Sequence, residues 1–159
     1  MQNTYSKSGI VLDISGQKLR ETGRDIIRDK SRHMNHGMCI GTNIIQTEEG
    51  ICALSFDGVN DYVEVSHFDE FPREDVTVEF WLYQREYGGP VSYITKRTNA
   101  QDGLMLFMST GNKLYFDWGN GTSNHRWVIG YIPPLNEWVH LTIARDANGR
   151  YLYVNGNFH

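Results

Sequence analysis

Side chains able to do chemistry gather in two stretches of this chain. The first runs from Trp118 through Asn120, Asn124 and His125 to Trp127, with Gly119 and Gly121 between them. Sugar rings carry apolar faces that stack on aromatics, and Asn and His can bond the hydroxyls around the rim. Trp118, Asn120, Asn124, His125 and Trp127 are therefore the candidate carbohydrate-binding residues. Packing at the border of a strand and an Asn/Gly-rich loop would use Trp118 and Trp127 equally well. The second stretch is the turn Asp57-Gly58-Val59-Asn60-Asp61. It collects two carboxylates and a carboxamide, hard oxygens of the kind calcium takes six to eight of. The same Asp57 and Asn60 could instead cap the turn through side-chain to backbone bonds.

Catalytic patterns are weak by comparison. Glycoside hydrolysis needs two carboxylates at a set separation, yet Glu79 stands among Thr77, Trp81 and Tyr83, and Asp117 is alone on its strand. The histidines, His33, His36, His67, His125, His140 and His159, show no zinc-protease spacing. No phosphate loop or nucleophile motif is present. Cys39 and Cys52 flank Gly41–Gly50. Either they face each other across a hairpin, where a disulfide would need close Cα atoms, or they are two small buried apolar residues.

Composition bounds the class. The chain has 159 residues with 40% hydrophobic, 13% aromatic and 21% charged, which suits one domain with a real core. The net charge of -4 comes with scattered Lys and Arg, so no nucleic-acid footprint is expected. No apolar run reaches membrane-spanning length, and membrane insertion is not expected. Met1–Ser8 is polar and lacks the apolar core of a signal peptide. That fits a chain not exported by that route, a removed signal, or a piece of a longer protein. Asn120-Gly121-Thr122 is a glycosylation sequence, relevant only in a eukaryotic secretory setting.

The elements that would position these residues are short strands. Val76–Tyr83 alternates most clearly: Val76, Val78, Phe80 and Leu82 on one face, Thr77, Glu79, Trp81 and Tyr83 on the other. Large residues on both faces imply a strand covered twice, or one face lining a groove. Leu54-Ser55 and Tyr62–Val65 alternate on either side of the Asp57 turn. Further strands are expected at Gly9–Ser15, Met38–Ile40, Val91–Lys96, Leu104–Met108, Lys113–Trp118, His125–Ile129, Trp138–Arg145 and Arg150–Val154. Gln17–Arg28 reads mainly as loop because Gly16 and Gly23 interrupt it. Thr42–Gly50, Phe68–Asp75, Arg97–Gly103 and Gly119–Asn124 read as connections. Many short strands divided by turn signals point to an all-β sandwich.

Four segments together resemble the laminin-G-like, or concanavalin A-like, lectin/glucanase superfamily. They are Asp29-Lys30-Ser31 with Asn35-His36-Gly37, Leu54–Val65, Val76–Leu82, and Trp138-Val139-His140-Leu141 with Tyr153-Val154-Asn155-Gly156. The resemblance spans about residues 25 to 157. It implies a two-sheet antiparallel jelly-roll sandwich over 25–159, preceded by a strand and loop segment over 1–24. It also implies a structural calcium, with Asp29 and Asn35 joining Asp57, Asn60 and Asp61, and core positions for Trp81 and Trp138. Family members usually continue past this hairpin into a late acidic strand, whereas this chain stops at His159. A homo-oligomer or neighbouring chain completing a sheet edge is the expectation that follows.

The function expected is non-catalytic recognition of a glycan or glycoprotein surface, or adhesion, outside the cell, at its surface or on a virion. The alternative is an assembly subunit of a virion, fibre or cell surface. A glucanase-type enzyme is the third and weakest reading.

Overall fold

The computed structural model describes residues 14–21, 24–46, 52–66, 75–99 and 101–159. It is an all-β protein of antiparallel sheets, with no helix among the described residues. The chain divides into two compact units, Met1–Phe71 and Pro72–His159. The boundary expected at residue 24 falls at the start of a strand inside the first unit. The strand expected at Gly9–Ser15 is described only from Ile14 onward, and the Phe68–Asp75 connection only at Asp75.

In the first unit, β1 (Ile14–Glu21), β2 (Arg24–Asp29), β3 (Gly37–Ile40) and β6 (Tyr62–Val65) form a sheet in the order β1-β2-β3-β6. A separate ladder joins β4 (Asn43–Gln46) to β5 (Cys52–Ser55). Two sequence expectations change here. Within Gln17–Arg28, expected mainly as loop, residues 17–21 and 24–28 are paired strands, with Leu19 opposite Ile26 and Glu21 opposite Arg24. Once β3 lines up on its other side, β2 gains a second ladder, and that pairing overrides the local punctuation of Gly16. Asn43–Gln46 is likewise a strand rather than connection.

The strands on either side of the Asp57 turn do not pair with each other. β5 pairs with β4 and β6 with β3, so residues 56–61 carry the chain from one sheet to the other. A two-residue hairpin loop would have brought them together; six residues organised around a side-chain cap do not. Cys39 lies opposite Val63 and Cys52 opposite Gln46, so the two cysteines do not share a ladder. Both are free thiols, Cys39 half-buried and Cys52 exposed.

The second unit contains two four-stranded sheets. One is β11-β10-β9-β8, built from β8 (Val91–Asn99), β9 (Asp102–Met108), β10 (Leu114–Asn120) and β11 (Asn124–Val128). The other is β14-β13-β12-β7, built from β7 (Val76–Tyr83), β12 (Trp138–Arg145), β13 (Arg150–Val154) and β14 (Asn157–Phe158). Alternation puts Leu104, Leu106, Met108, Leu114 and Phe116 of the first sheet into the core with Val76, Val139, Leu141, Ile143 and Leu152 of the second. The Phe80 and Tyr93 rings meet between the sheets with centroids 6.2 Å apart. Tyr93 is the extra residue of a bulge in β8, which turns it inward. Its hydroxyl donates to Gln84 Oε1 at 2.9 Å, and burial, reinforced by nearby Tyr87, pushes its pKa up to about 12.

Ladders in this unit run further than the turn chemistry implied. β8 continues to Asn99 and β9 begins at Asp102, so the polar turn expected at Arg97–Gly103 shrinks to its tip. β10 reaches Asn120 and β11 begins at Asn124, which leaves three residues of the loop expected at 119–124. Gly119 permits this. A Cβ there would collide with the Gln101 carbonyl, which accepts a 2.7 Å bond from the amide of Gly121.

Candidate functional site

The outward face of the β14-β13-β12-β7 sheet is the candidate site. In β7 the residues alternate with the core set, so Thr77, Glu79, Trp81 and Tyr83 point away from it. The register sets Tyr83 opposite Trp138, Trp81 opposite His140 and Glu79 opposite Thr142. The row continues from Thr142 to Tyr153 and from Tyr153 to Phe158. Aromatic rings thus fall into adjacent pairs across the sheet. Tyr83 and Trp138 have centroids 5.3 Å apart, Trp81 and His140 5.0 Å, and Tyr153 and Phe158 5.6 Å.

This face is open. Trp81 is 63% exposed, Tyr83 40% and Phe158 69%. The core position expected for Trp81 is therefore corrected, and Trp138 lies half-buried beside Tyr83 on the same outward face. The reason is the period of two: with Val78, Phe80 and Leu82 turned inward, Trp81 has no route to the core. The signal was present in the alternation of Val76–Tyr83, whose second face was allowed to line a groove.

Polar groups sit within the aromatic row. His140 Nε2 lies 3.0 Å from Glu79 Oε1. The backbone of His140 is clamped by Asn155: its N–H donates to Asn155 Oδ1 at 2.9 Å, and its carbonyl accepts from the Asn155 N–H at 2.9 Å. Asn155 and Gly156 both have positive φ, 51° and 79°, as a two-residue turn of this twist requires. That turn ties β14 to β13 and holds the His140 edge of the site. Among the described strand positions of this face, Glu79 is the single carboxylate. A flat set of rings with one carboxylate and one imidazole can stack on a sugar face and bond its hydroxyls.

The hairpin β10–β11 divides the five residues first picked for carbohydrate. Trp118 and His125 are directly opposite and stack at 5.4 Å with an 18° interplanar angle. Trp127, opposite buried Phe116, points to the same side. Asn124 pairs with Gly119 and alternates to the other side. Asn120 Oδ1 accepts bonds from the Thr122 and Ser123 amides and from the Thr122 hydroxyl, so it caps the turn.

On that other side, Asp117 is 2% exposed and accepts two bonds from Arg126, Nε to Oδ1 at 2.8 Å and Nη2 to Oδ2 at 2.7 Å. These bonds hold the Arg126 guanidinium above its ordinary pKa. Its carbon also lies 5.5 Å from the Phe107 and Tyr115 ring centroids. Sequence reasoning passed over this pair, because an isolated Asp on a strand shows no partner until the register does.

The residues picked for calcium belong to the first unit and form two capping sets. Asp29 is 4% exposed; its Oδ1 accepts from the Ser31 amide at 2.8 Å, and its Oδ2 from the Ser31 hydroxyl at 2.7 Å and the Asn35 amide at 2.8 Å. Asp57 Oδ1 faces the amides of Val59, Asn60 and Asp61, at 2.8, 3.1 and 3.3 Å, while Asp61 Oδ2 accepts from the Asp57 amide at 2.9 Å. Those amides, that of Val59 first, hold the Asp57 pKa below its usual value, with partial desolvation opposing. Among the described residues no three His, Cys, Asp or Glu come together as a metal-holding group. N–H donors aimed at these oxygens make the surroundings of a turn cap, and nothing in the function proposed below passes through a metal.

A family model described as the concanavalin A-like lectin/glucanases superfamily matches residues 57–158. The fold is also similar to the crystal structure of an S-layer domain-containing protein from Clostridium thermocellum ATCC 27405. The TM-score is 0.52 at 16% identity, covering 92% of this chain and 70% of that one. No curated protein matches the chain.

Proposed function

Because the chain belongs to the concanavalin A-like lectin/glucanase superfamily, we propose that it is a non-catalytic carbohydrate-recognition module acting at a cell surface, with the outward face of the β14-β13-β12-β7 sheet as its platform. One observation carries this reading: Trp81 is 63% exposed in a row of rings whose neighbours include the Glu79–His140 pair. An indole left open to water on a sheet face is costly to solubility unless a partner covers it. A saccharide uses such a surface well, stacking its C–H face on Trp81 and Tyr83 and offering hydroxyls to Glu79 and His140. Among the described strand positions of this face Glu79 is the single carboxylate, whereas glycoside hydrolysis uses a pair.

The test is a glycan array and a soluble-polysaccharide titration with wild type, Trp81→Ala and Glu79→Gln. Binding that Trp81→Ala weakens by about tenfold or more, with an unchanged circular dichroism spectrum, is the expected result. Wild-type protein that binds no saccharide, or a Trp81→Ala variant that binds as tightly, overturns the platform.

The second reading is assembly into a surface layer. It is favoured by the similarity to an S-layer domain-containing protein and by the apolar character of Trp81 and Phe158. Here the open face would meet another protein rather than a sugar. Light scattering that shows ordered oligomers in wild type, dispersed by Trp81→Ala, would select it.

A further inference from the structure

Three Asn-Gly steps occur in the chain: Asn120-Gly121, Asn148-Gly149 and Asn155-Gly156. All three asparagines are exposed. A glycine after asparagine has no Cβ to block the approach of its own amide nitrogen to the side-chain carbonyl carbon. The fold treats the three nitrogens differently. The Gly121 amide donates to the Gln101 carbonyl at 2.7 Å. The Gly149 amide donates to the Asp146 carboxylate at 2.9 Å, and a Cβ at Gly149 would stand 3.2 Å from the Tyr151 hydroxyl. Both nitrogens are held through their protons, and the second can lose its proton only beside a negative charge.

Gly156 differs from both. In a two-residue turn the closing bond goes to the amide after the turn, so the amide of the second central residue is left to water. Among the described residues the Gly156 amide has no acceptor. Nothing lies within 4 Å of where its Cβ would stand. The β14 strand beyond it is two residues long and exposed, so the local movement that brings this nitrogen to Asn155 Cγ opens little structure. Asn155 Oδ1 meanwhile accepts from the His140 amide at 2.9 Å. That donor stabilises the charge that develops on Oδ1 as the nitrogen adds.

We propose that Asn155-Gly156 is a site of spontaneous covalent self-modification, with water as the only co-reactant. The Gly156 nitrogen gives its proton to hydroxide and bonds to Asn155 Cγ. The Cγ–Nδ2 bond breaks, and Nδ2 leaves as ammonia after taking a proton from water. Water then opens the five-membered imide at either carbonyl, which yields aspartate or isoaspartate. Nothing is oxidised or reduced; water enters, ammonia departs and the chain gains one negative charge. The isoaspartate form carries the main chain through Cβ and Cγ, which lengthens by one methylene the turn that clamps His140. This chemistry stands whether or not the Trp81 face binds a saccharide.

The experiment ages the purified full chain at mildly alkaline pH, once folded and once in urea. Peptide mass spectrometry follows the conversion of each asparagine, and enzymatic methyl labelling reads isoaspartate. In the folded chain Asn155 converts about tenfold or more faster than Asn120 and Asn148; in urea the three rates draw together. Asp146→Ala, with folding checked by a melting curve, frees the Gly149 amide and raises the Asn148 rate severalfold. A folded chain in which Asn155 converts no faster than the other two overturns the proposal. So does an Asn155 that stays intact while the urea sample converts. An Asn148 rate unmoved in folded Asp146→Ala removes the hydrogen-bond basis of the ordering and overturns it as well.

Discussion

Replacing Arg126 with Met should destabilise the protein more than replacing it with Ala, although Met keeps more of the side chain. The reason lies in what each leaves around Asp117. That carboxylate is 2% exposed, while the Arg126 side chain covering it is 53% exposed. The two hydrogen bonds at 2.8 and 2.7 Å are charge-assisted, each worth roughly 1.5–3 kcal/mol. The half-exposed guanidinium is screened by water, which lowers the pair to about 2–3 kcal/mol in all. Arg126→Ala opens a path for water to Asp117, so the expected loss is about 2 kcal/mol. Arg126→Met keeps an apolar stem against Phe107 and Tyr115 and leaves the carboxylate sealed and unpaired. That situation costs about 3–5 kcal/mol. Asp117→Asn leaves an uncharged acceptor and frees Arg126 toward water, for a loss of about 1 kcal/mol.

Urea denaturation with unchanged m-values would give the order Met, Ala, Asn from most to least destabilised. An Arg126→Met protein as stable as wild type, or one no less stable than Arg126→Ala, would refute the buried-charge argument.

Gly119→Ala should cost about 1–3 kcal/mol, read as a lowered melting temperature, because the new methyl meets the Gln101 carbonyl of a backbone turn. Asp57 and Asp146 both have pKa values lowered from 3.8, by the Val59 and Asn148 amides first. A depressed carboxylate contributes stability above its unfolded pKa and loses it as pH falls through the folded value. Wild type should therefore weaken below about pH 4, and Asp57→Ala or Asp146→Ala should flatten that acid slope in a melting-temperature series. Asn155→Ala strains a residue at φ 51° and deletes the bond to the His140 amide. The expected cost is about 1–3 kcal/mol by denaturation, with Asn155→Gly losing less of it.

The strands of the second unit were legible wherever local pattern and pairing agree. Val76–Tyr83, Trp138–Arg145 and Arg150–Val154 appear with the bounds their alternation implies. Asn155-Gly156 likewise declares its turn, since few residue pairs accept positive φ twice. The pattern was less reliable where it had to name a partner. Tyr62–Val65 is a strand as expected, yet it pairs with β3 rather than with the strand just before it. Gln17–Arg28 looks like loop by composition, yet residues 17–21 and 24–28 pair as strands of the sheet that β3 extends.

The candidate site shows the same division. Sequence by itself determined that Glu79, Trp81 and Tyr83 share a face, and that Asp57 heads a turn, because periodicity and turn chemistry act over a few residues. Only tertiary structure decided that this face is open rather than core, that Asp117 is buried against Arg126, and that Asn155 clamps the backbone of His140. Those facts depend on which strands become neighbours. Ladder register joins residues far apart in the chain, and no local spacing encodes it.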